Sequence, residues 1–551
     1  MICYDTGAGP RGEMDIIHGF GPCVVGSNPA GDAKRAWFSG RTPAFQAGNG
    51  SSILPARTDS KEMIEQFKIP ALVRETAHTL EEGGFEAYIV GGCVRDLVMG
   101  REPHDWDITT DARPEEIVTL FGKTFYENTY GTVTVVHEDA PPKLRHIEVT
   151  PFRKEGAYRD MRHPDTVTFG VALEEDLERR DFTINAIAYR TEKNVFVDPF
   201  GGIKDIKDKR IDAMGDPERR FSEDALRMIR GVRFVASLDF TIDETTARAI
   251  KKMAKSISIL SIERIRDEFE KIILSKNPEK GLKLAFEFGL LHYIVPELEE
   301  TVGVEQNGDH PYPVWEHILK ALQHSADRDF PLEIRLAALF HDIGKPRTRE
   351  FSREKEDYTF YGHDTTGARM TKRILERLKF PVKTIETAVK LVRHHMFFTD
   401  IEKITLSAVR RMIRNVGEER IWDLMKVRTC DRIGMNRPVE EPYRLRKYES
   451  MIEEALRNPT SVKMLNIDGA RVMEVTRETP GPKIGYILHA LLEEVLDDPS
   501  LNSKEYLENR AGELVKLEDK ELKKLGESGK LKKGEMEEGE LKKIRSKYRV
   551  K

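Results

Sequence analysis

The chain has 551 residues, 33% of them charged and 39% hydrophobic, long enough for about three or four domains of roughly 150 residues each; no apolar run approaches the roughly 20 residues of a membrane span, which implies a soluble protein. A net charge of −5 gives no global basic signature, so any nucleic-acid surface must be a local patch. Of four cysteines only Cys93 and Cys430 lie outside the N-terminal stretch, too few for a disulfide framework and in keeping with a reducing cytoplasm.

Residues 1–62 are rich in Gly, Pro, Ser and Ala and lack periodicity, so they are expected to be disordered. They also lack the basic start and apolar core of a signal peptide. From Met63 a helical pattern (Ile64, Phe67, Leu72, Thr76, Leu80) leads into residues 87–109, around which the chain is organised. Tyr88 to Val90 reads as a buried strand, Gly91-Gly92 lets backbone approach a ligand closely, and Val94 to Met99 reads as a short helix, an arrangement that suits phosphate. After a break at Gly100 and Pro103, a second short strand is predicted in which Asp105 and Asp107 share one face and Trp106 and Ile108 the other. Two carboxylates on one face repel unless a cation lies between them, which is what one or two Mg²⁺ on a nucleoside triphosphate require.

Gly91-Gly92-Cys93-Val94-Arg95-Asp96 joined to Asp105-Trp106-Asp107 resembles the head of class II CCA-adding enzymes, the tRNA nucleotidyltransferases of the poly(A) polymerase superfamily. The resemblance implies that Gly91, Gly92 and Arg95 face a nucleotide. It also gives Gly26-Ser27-Asn28-Pro29 a second reading, since a common tRNA T-arm sequence encodes it in one frame; residues 1–62 would then be non-native and Met63 the start.

Residues 131–136 and 144–149 read as strands. Glu148 on the second is the candidate third carboxylate that nucleotidyltransferases often carry on a neighbouring strand, or else a solvent-facing strand residue. Arg153 to Arg162 has dense charge and no core pattern; it is similar to the flexible loop of family members that add the terminal A, with His163 where a second Arg is usual. In Glu175 to Asn185, the adjacent Arg179 and Arg180 can fork onto phosphates and Asp181 can accept from a ribose hydroxyl. The resemblance assigns Arg180, Asp181 and Asn185 to the nucleotide, and Asp198-Pro-Phe-Gly-Gly202 matches the family's next motif. Ser222-Glu223-Asp224 reads as a helix start, with Asp224 and Arg227 three apart on one face and Arg230 one turn on. An Asp that accepts beside an Arg that donates matches the Watson–Crick edges of C and A and leaves G and U with unpaired groups; an i, i+3 surface ion pair is the alternative. Glu263 to Glu268 resembles the family's neck helix, its charged face read as structural.

Seven of the 15 histidines fall in residues 310–395. His317, His341-Asp342, His363, His394-His395 and Asp431 follow one another with spacing similar to an HD-superfamily phosphohydrolase, with His310 and His324 outside the pattern. Imidazoles with carboxylates suit Ni²⁺, Mn²⁺, Fe²⁺, Co²⁺ or Zn²⁺ better than Mg²⁺, and the sequence leaves open which of His394 and His395 ligates. Helices are predicted over Tyr443–Leu456 and Ile484–Leu496, with Gly485 permitting close packing, and residues 515–551, rich in Lys and Glu, read as a frayed helix or solvated tail.

The expected fold is an α/β nucleotidyltransferase head (a small mixed sheet with helices) at 63–212, followed by an all-α neck (213–275), HD-bearing body (276–440) and tail (441–510), with a charged extension at 511–551. The expected activity is addition of CCA, or its terminal A, to tRNA from CTP and ATP, with Mg²⁺ at Asp105 and Asp107, a phosphohydrolase at the HD site and the tRNA acceptor stem as partner, in the cytoplasm and away from membranes. A bacterial poly(A) polymerase is the alternative, although such enzymes carry Gly-Arg-Arg-Phe where this chain has Gly122-Lys123-Thr124-Phe125. Oligomeric state is not legible.

Overall fold

The computed structural model describes residues 68–126, 131–156, 158, 165–306, 310–397, 404–437, 439–457 and 462–550. The expectations for residues 1–62 and for most of the loop after Arg153, including Arg162 and His163, lie outside these. No helix among the described residues is long and apolar enough to cross a membrane.

The head is built on a seven-stranded mixed sheet. Its strands, in chain order, are β1 (Ala87–Val90), β2 (Asp107–Thr110), β3 (Thr124–Tyr126), β4 (Val133–Val136), β5 (His146–Pro151), β8 (Ala188–Arg190) and β9 (Val195–Val197), while β6 (Arg153–Glu155) and β7 (Val167–Phe169) form a separate hairpin. The sheet order is β3-β4-β5-β2-β1-β8-β9, and only β2 and β5 run parallel, which sets Asp107 directly beside Glu148. Alternation decides which way β5 faces: Ile147 and Val149 are buried while His146 and Glu148 are exposed. β1 is buried throughout, as expected of a strand covered on both faces.

The strand carrying the acidic pair is shorter than the alternation predicts. β2 begins at Asp107, and Asp105 sits on the bend before it, exposed, with Pro103 and Trp106 buried on either side. The predicted helix start at Ser222 to Asp224 is both an end and a start: Ser222 and Glu223 close one helix, and Asp224 accepts the Leu226 N–H (3.0 Å) at the opening of the next. Pro217–Glu223 is one helix, Asp224 is extended at the break (φ −141°, ψ 106°), and Leu226–Leu238 is the next.

From that point the chain is helical. Leu226–Leu238 packs on Ile262–Ile273 and Pro278–Glu287, and Val314–Asp327 packs on Leu332–Phe340 and Ile421–Gly434. One apolar cluster runs from Ile69 in the head to Ile452 in the body, whereas Leu465 to Leu522 form a second. The last 29-residue helix, Asp519–Lys547, is not a solvated tail, because it docks along Pro482–Asp497. Its contact is made by Leu522, buried in the second cluster, and by two glycines: a Cβ on Gly526 would sit 2.7 Å from Tyr486 Cα, and one on Gly529 would strike the His489 carbonyl. Gly485 was the wrong glycine, since a Cβ there meets nothing within 4 Å.

Candidate active site and metal centre

Head and neck enclose a cleft of about 520 Å³ lined by Gly91, Gly92, Arg95, Asp105, Asp107, Arg180, Asp181, Asn185, Asp224, Arg227 and Arg230. All the predicted nucleotide residues therefore converge, with Glu148 placed next to Asp107 by the β2–β5 register. Gly91 has φ 79°, a backbone state costly for other residues, and opens the helix Gly92–Val98. A Cβ at Gly91 would lie 2.9 Å from Arg180 Nη1 and 3.6 Å from an Asp107 carboxylate oxygen, so the bare backbone is what allows these two to approach. Asp198 supports the floor from behind: its oxygens accept from the Gly202 and Ile203 N–H groups, and Gly202 packs against the Thr183 carbonyl. The Asp198-Pro-Phe-Gly-Gly202 motif is thus a brace for the turn that carries Asp181 and Asn185.

The arginines are held by a network. Arg95 donates to Asn185 Oδ1 (2.8 Å), Asn185 donates to Asp181 Oδ1 (2.9 Å), and Arg230 donates to Asp181 Oδ2 (2.8 Å). Asp181 is buried, and although burial works against its charge, Arg230 and Asn185 hold it well below the usual carboxylate range. Its Oδ2 holds Arg230 while its Oδ1 accepts from Asn185 and from the Phe182 N–H (2.9 Å each), a bracing role that sequence reading did not foresee. Phe234 lies beneath three guanidinium groups, with Arg95, Arg230 and Arg233 at 5.3, 5.7 and 4.3 Å from its ring centre.

Asp224 and Arg227 do not pair with each other. Asp224 accepts from Arg264 (2.8 Å), while Arg227 donates to Glu223 (2.9 Å) and to the carbonyls of Arg220 and Arg179. The surface ion pair is therefore absent, and acceptor and donor are each locked by a different neighbour. Arg264, read from sequence as structural, lines the cleft and has a buried Nη1 without a hydrogen-bond partner. Arg233 and Phe234 were also missed, because each sits on an amphipathic helix whose pattern says only that it packs.

Burial lifts the Asp107 carboxyl to about 6, Arg180 opposes the shift, and Glu148 and Asp105 add to it. A raised carboxyl holds its proton more tightly folded than unfolded, so in metal-free protein this group favours the native state as pH falls through 6. A cation bound there must displace the proton. Between pH 7 and 8 the Mg²⁺ concentration that half-fills the cleft should therefore be nearly flat, and below pH 6 it should rise by up to about tenfold per unit. A calorimetric Mg²⁺ titration of the protein at several pH values checks this.

In the body, the predicted histidines close on two groups whose ligand atoms lie within 4.8 Å of one another: His317, His341 and Asp431, and Asp342, His363 and His395. Among the described residues these are the three-ligand clusters at that distance; the head carboxylates are more open. Asp342 joins the two groups. Its Oδ2 lies 3.2 Å from His317 and 3.3 Å from His341, and its Oδ1 lies 3.3 Å from His363 and 3.8 Å from His395. His341, His363 and His395 donate Nδ1–H to the carbonyls of Ala338, Phe360 and Val392 at 2.7–2.8 Å, which turns each Nε2 inward. His394 is not part of the cluster. It is half-buried on the other side of the helix end, while His395 is 1% exposed.

Close backbone contact makes the cluster possible. A Cβ on Gly344 would strike the His363 carbonyl, and one on Gly434 would lie 2.9 Å from His317 Nδ1. Burial disfavours charge on His341, yet Asp342 and Asp431 outweigh it and lift the imidazole to about 10. His310, outside the sequence pattern, has its ring 5.4 Å from that of His317, and burial and Lys345 lower it to about 4.

The Poly A polymerase head domain profile matches residues 87–212, the probable RNA and SrmB-binding site of polymerase A matches 239–301, and the HD domain matches 307–436. A protein of Limosilactobacillus reuteri named CCA-adding enzyme is 45% identical over 238 residues, covering 42% of this chain and 57% of its own. One of a Geobacillus strain, likewise named, is 48% identical over 217 residues, covering 39% and 52%. The chain thus aligns with about half the length of these relatives. The crystal structure of the Bacillus stearothermophilus CCA-adding enzyme with CTP superposes with a TM-score of 0.51 at 29% identity, covering 81% of this chain and 98% of the other. Head, RNA-binding and HD profiles succeed one another along residues 87–436, so the chain carries in order regions similar to a poly A polymerase head, its RNA-binding part and an HD domain, and its matched part is similar to CCA-adding enzymes.

Proposed function

We propose that the chain adds CCA, or its terminal A, to tRNA 3′ ends from CTP and ATP, using a head of residues 63–212 with the neck helices closing over it. The observation that carries this reading is the one cleft in which a glycine-lined phosphate cradle, an acidic pair and an Asp–Arg base-edge pair meet. Asp105 and Asp107, with Glu148 beside them, would hold Mg²⁺, and their oxygen-only donor set fits a hard cation. When bound, Mg²⁺ supplies positive charge against the triphosphate. Arg180 and Arg95 bind the phosphates, and Asp224 and Arg227 orient the base edge. That the curated relatives are named CCA-adding enzymes favours this over poly(A) addition. Incubation with tRNA transcripts ending before CCA, after C and after CC, with each triphosphate singly and together, tests it. Extension of all three to a single finished end supports CCA addition, and an open-ended run of A rejects it.

Arg227 touches no phosphate in this reading, so Arg227→Ala should lower discrimination between CTP and UTP by about tenfold or more while slowing incorporation less. Separate kcat/KM values for the two nucleotides decide it, and unchanged discrimination would remove Arg227 from base selection.

We further infer that the HD cluster would hold one or two transition-metal ions, for which His317, His341 and Asp431 offer one group of ligands and Asp342, His363 and His395 another, Asp342 facing both. The imidazole-rich donor set and the inward Nε2 atoms fit such ions, which supply Lewis acidity to a phosphate ester. Cyclic 2′,3′-phosphates and 2′-nucleotides are the proposed substrates: water adds to phosphorus and the P–O3′ bond of the ring breaks, leaving a 2′-phosphate and a free 3′-hydroxyl that the head can extend, and a second water cleaves the 2′-ester to release inorganic phosphate.

A further inference from the structure

One helix of the HD-bearing body turns a row of uncompensated cations to solvent. In Leu406–Val416, Val409, Ile413 and Val416 are buried, while Ser407, Arg410, Arg411, Arg414 and Asn415, on the opposite arc, are exposed. Arg410 and Arg414 are one turn apart, and Arg411 lies three residues before Arg414, so the three guanidinium groups are neighbours on that arc. The helix contains no acidic residue. Glu418 and Glu419 follow it, yet none of the three arginines has a carboxylate within ion-pair distance among the described residues. Other exposed arginines of the body are fastened, Arg347 to Glu300 (2.6 Å), Arg377 to Glu297 (2.6 Å) and Arg393 to Asp364. Like charges this close along a helix repel one another, and an anion laid across them relieves the repulsion.

The helix packs on Tyr443–Leu456 and also touches Val382–His394, which leads directly into His395, and Ile421–Gly434, which carries Asp431. The basic arc is therefore attached to a helix from each of the two HD ligand groups. Its chemistry selects the partner. Guanidinium groups fork onto phosphate oxygens, and the exposed arc carries no apolar side chain with which to enter a lipid surface.

We propose that Arg410, Arg411 and Arg414 grip the backbone of an RNA strand whose 3′ end reaches the HD centre, so that the HD substrate is the end of an RNA chain and not only a free nucleotide. The inference rests on the hydrolase reading and adds to it a partner and a surface. The three arginines are neither metal ligands in that reading nor part of the head cleft.

Binding is measured first, on the full chain chelated so that nothing turns over, by fluorescence anisotropy with a single-stranded RNA of about ten nucleotides ending in a 2′,3′-cyclic phosphate. Arg410→Gln, Arg411→Gln and Arg414→Gln together should raise Kd tenfold or more at low salt. They should also flatten the slope of log Kd against log KCl by about two, since each phosphate contact to a single strand contributes about 0.7. Arg410→Lys, Arg411→Lys and Arg414→Lys together keep the charge and should keep most of the slope, which separates lost charge from misfolding. With Ni²⁺ or Mn²⁺ restored, wild-type kcat/KM for the RNA end should exceed that for 2′,3′-cyclic AMP by tenfold or more, and the Gln variant should lose that advantage through KM. A salt slope unchanged in the Gln variant, a slope lost equally in the Lys variant, or no preference for the RNA end overturns the proposal. So does competition by polyglutamate or by anionic phosphatidylserine vesicles as effective as by unlabelled RNA, which would assign the arc to an acidic protein or a membrane. Weakened CTP incorporation into tRNA with hydrolysis of RNA ends untouched would give the helix to the head and likewise overturn it. A wild-type chain inert towards both phosphate esters with every metal sinks the hydrolase reading, on which the chelated binding and its salt slope do not depend. Hydrolysis of 2′,3′-cyclic AMP with the slope unchanged sinks the grip alone.

Discussion

Asp107→Ala is expected to reduce nucleotide incorporation by well over a hundredfold while leaving the fold intact. Loss even of an outer partner of a ligand commonly costs about 10–100-fold, and Asp107 lies beside Glu148 in register, faces Arg180 and shares the cleft with Asp105. Its carboxyl is lifted to about 6 by burial and acidic neighbours, so its removal relieves crowding and should not destabilise the metal-free protein. Single-turnover incorporation of CTP and ATP, with a thermal melt alongside, measures both halves. Incorporation above a few per cent of wild type would take the cation away from Asp107. The adjacent Glu148 provides a graded comparison, because it is exposed at the same register position and Glu148→Gln should cost less than Asp107→Asn.

Asp342→Asn should eliminate hydrolysis of 2′,3′-cyclic AMP and take the bound transition metal from two ions per chain to none. Both carboxylate oxygens are in use, one towards His317 and His341 and the other towards His363 and His395, so neutralising this residue weakens both positions at once. His395→Ala, by contrast, should lose one ion and keep the other. The carboxylate is buried with imidazoles and Lys345 around it, 2.6 Å from Lys345 Nζ. Metal analysis after reconstitution with Ni²⁺ or Mn²⁺, together with phosphate release, distinguishes these outcomes. tRNA nucleotide addition by Asp342→Asn should stay close to wild type, since the head cleft shares no residue with the cluster. A wild-type chain that binds one ion or none would refute the two-ion reading.

Sequence gave away the local parts of both sites and hid the parts assembled by packing. Gly91-Gly92 and Asp107 are legible because strand, glycine turn and helix follow within a few residues, and the turn chemistry announces itself. Ser222 to Asp224 reads as a helix start, and Asp224 does accept the Leu226 N–H; what sequence hides is that its other oxygen is taken by Arg264, 40 residues on. His394 and His395 could not be separated because they end a helix. The choice falls to His395, whose Nδ1 meets the Val392 carbonyl. His310 was excluded by spacing alone, yet the fold returns it to His317. The final helix misled through composition: its charge is real, but Gly526 and Gly529, three residues apart, were the available signal of a close helix contact.

That helix is held in two unlike ways along its length. Near its start, Leu522 is buried in the second apolar cluster, and Gly526 and Gly529 lie on the backbone of Pro482–Asp497. Towards its end the fastenings are ionic, Arg457 to Glu540 and Lys547 to Glu453 (2.7 Å), across to the helix Tyr443–Leu456. Exposed ion pairs fade within a Debye length of about 8 Å at physiological salt, and close packing does not. Raising KCl should therefore speed amide exchange around residues 540–548 and leave 522–530 unchanged. The carboxyl-terminal end of the helix then behaves as a salt-tuned clasp on a fixed pivot, an ionic-strength gauge at the far end of the chain.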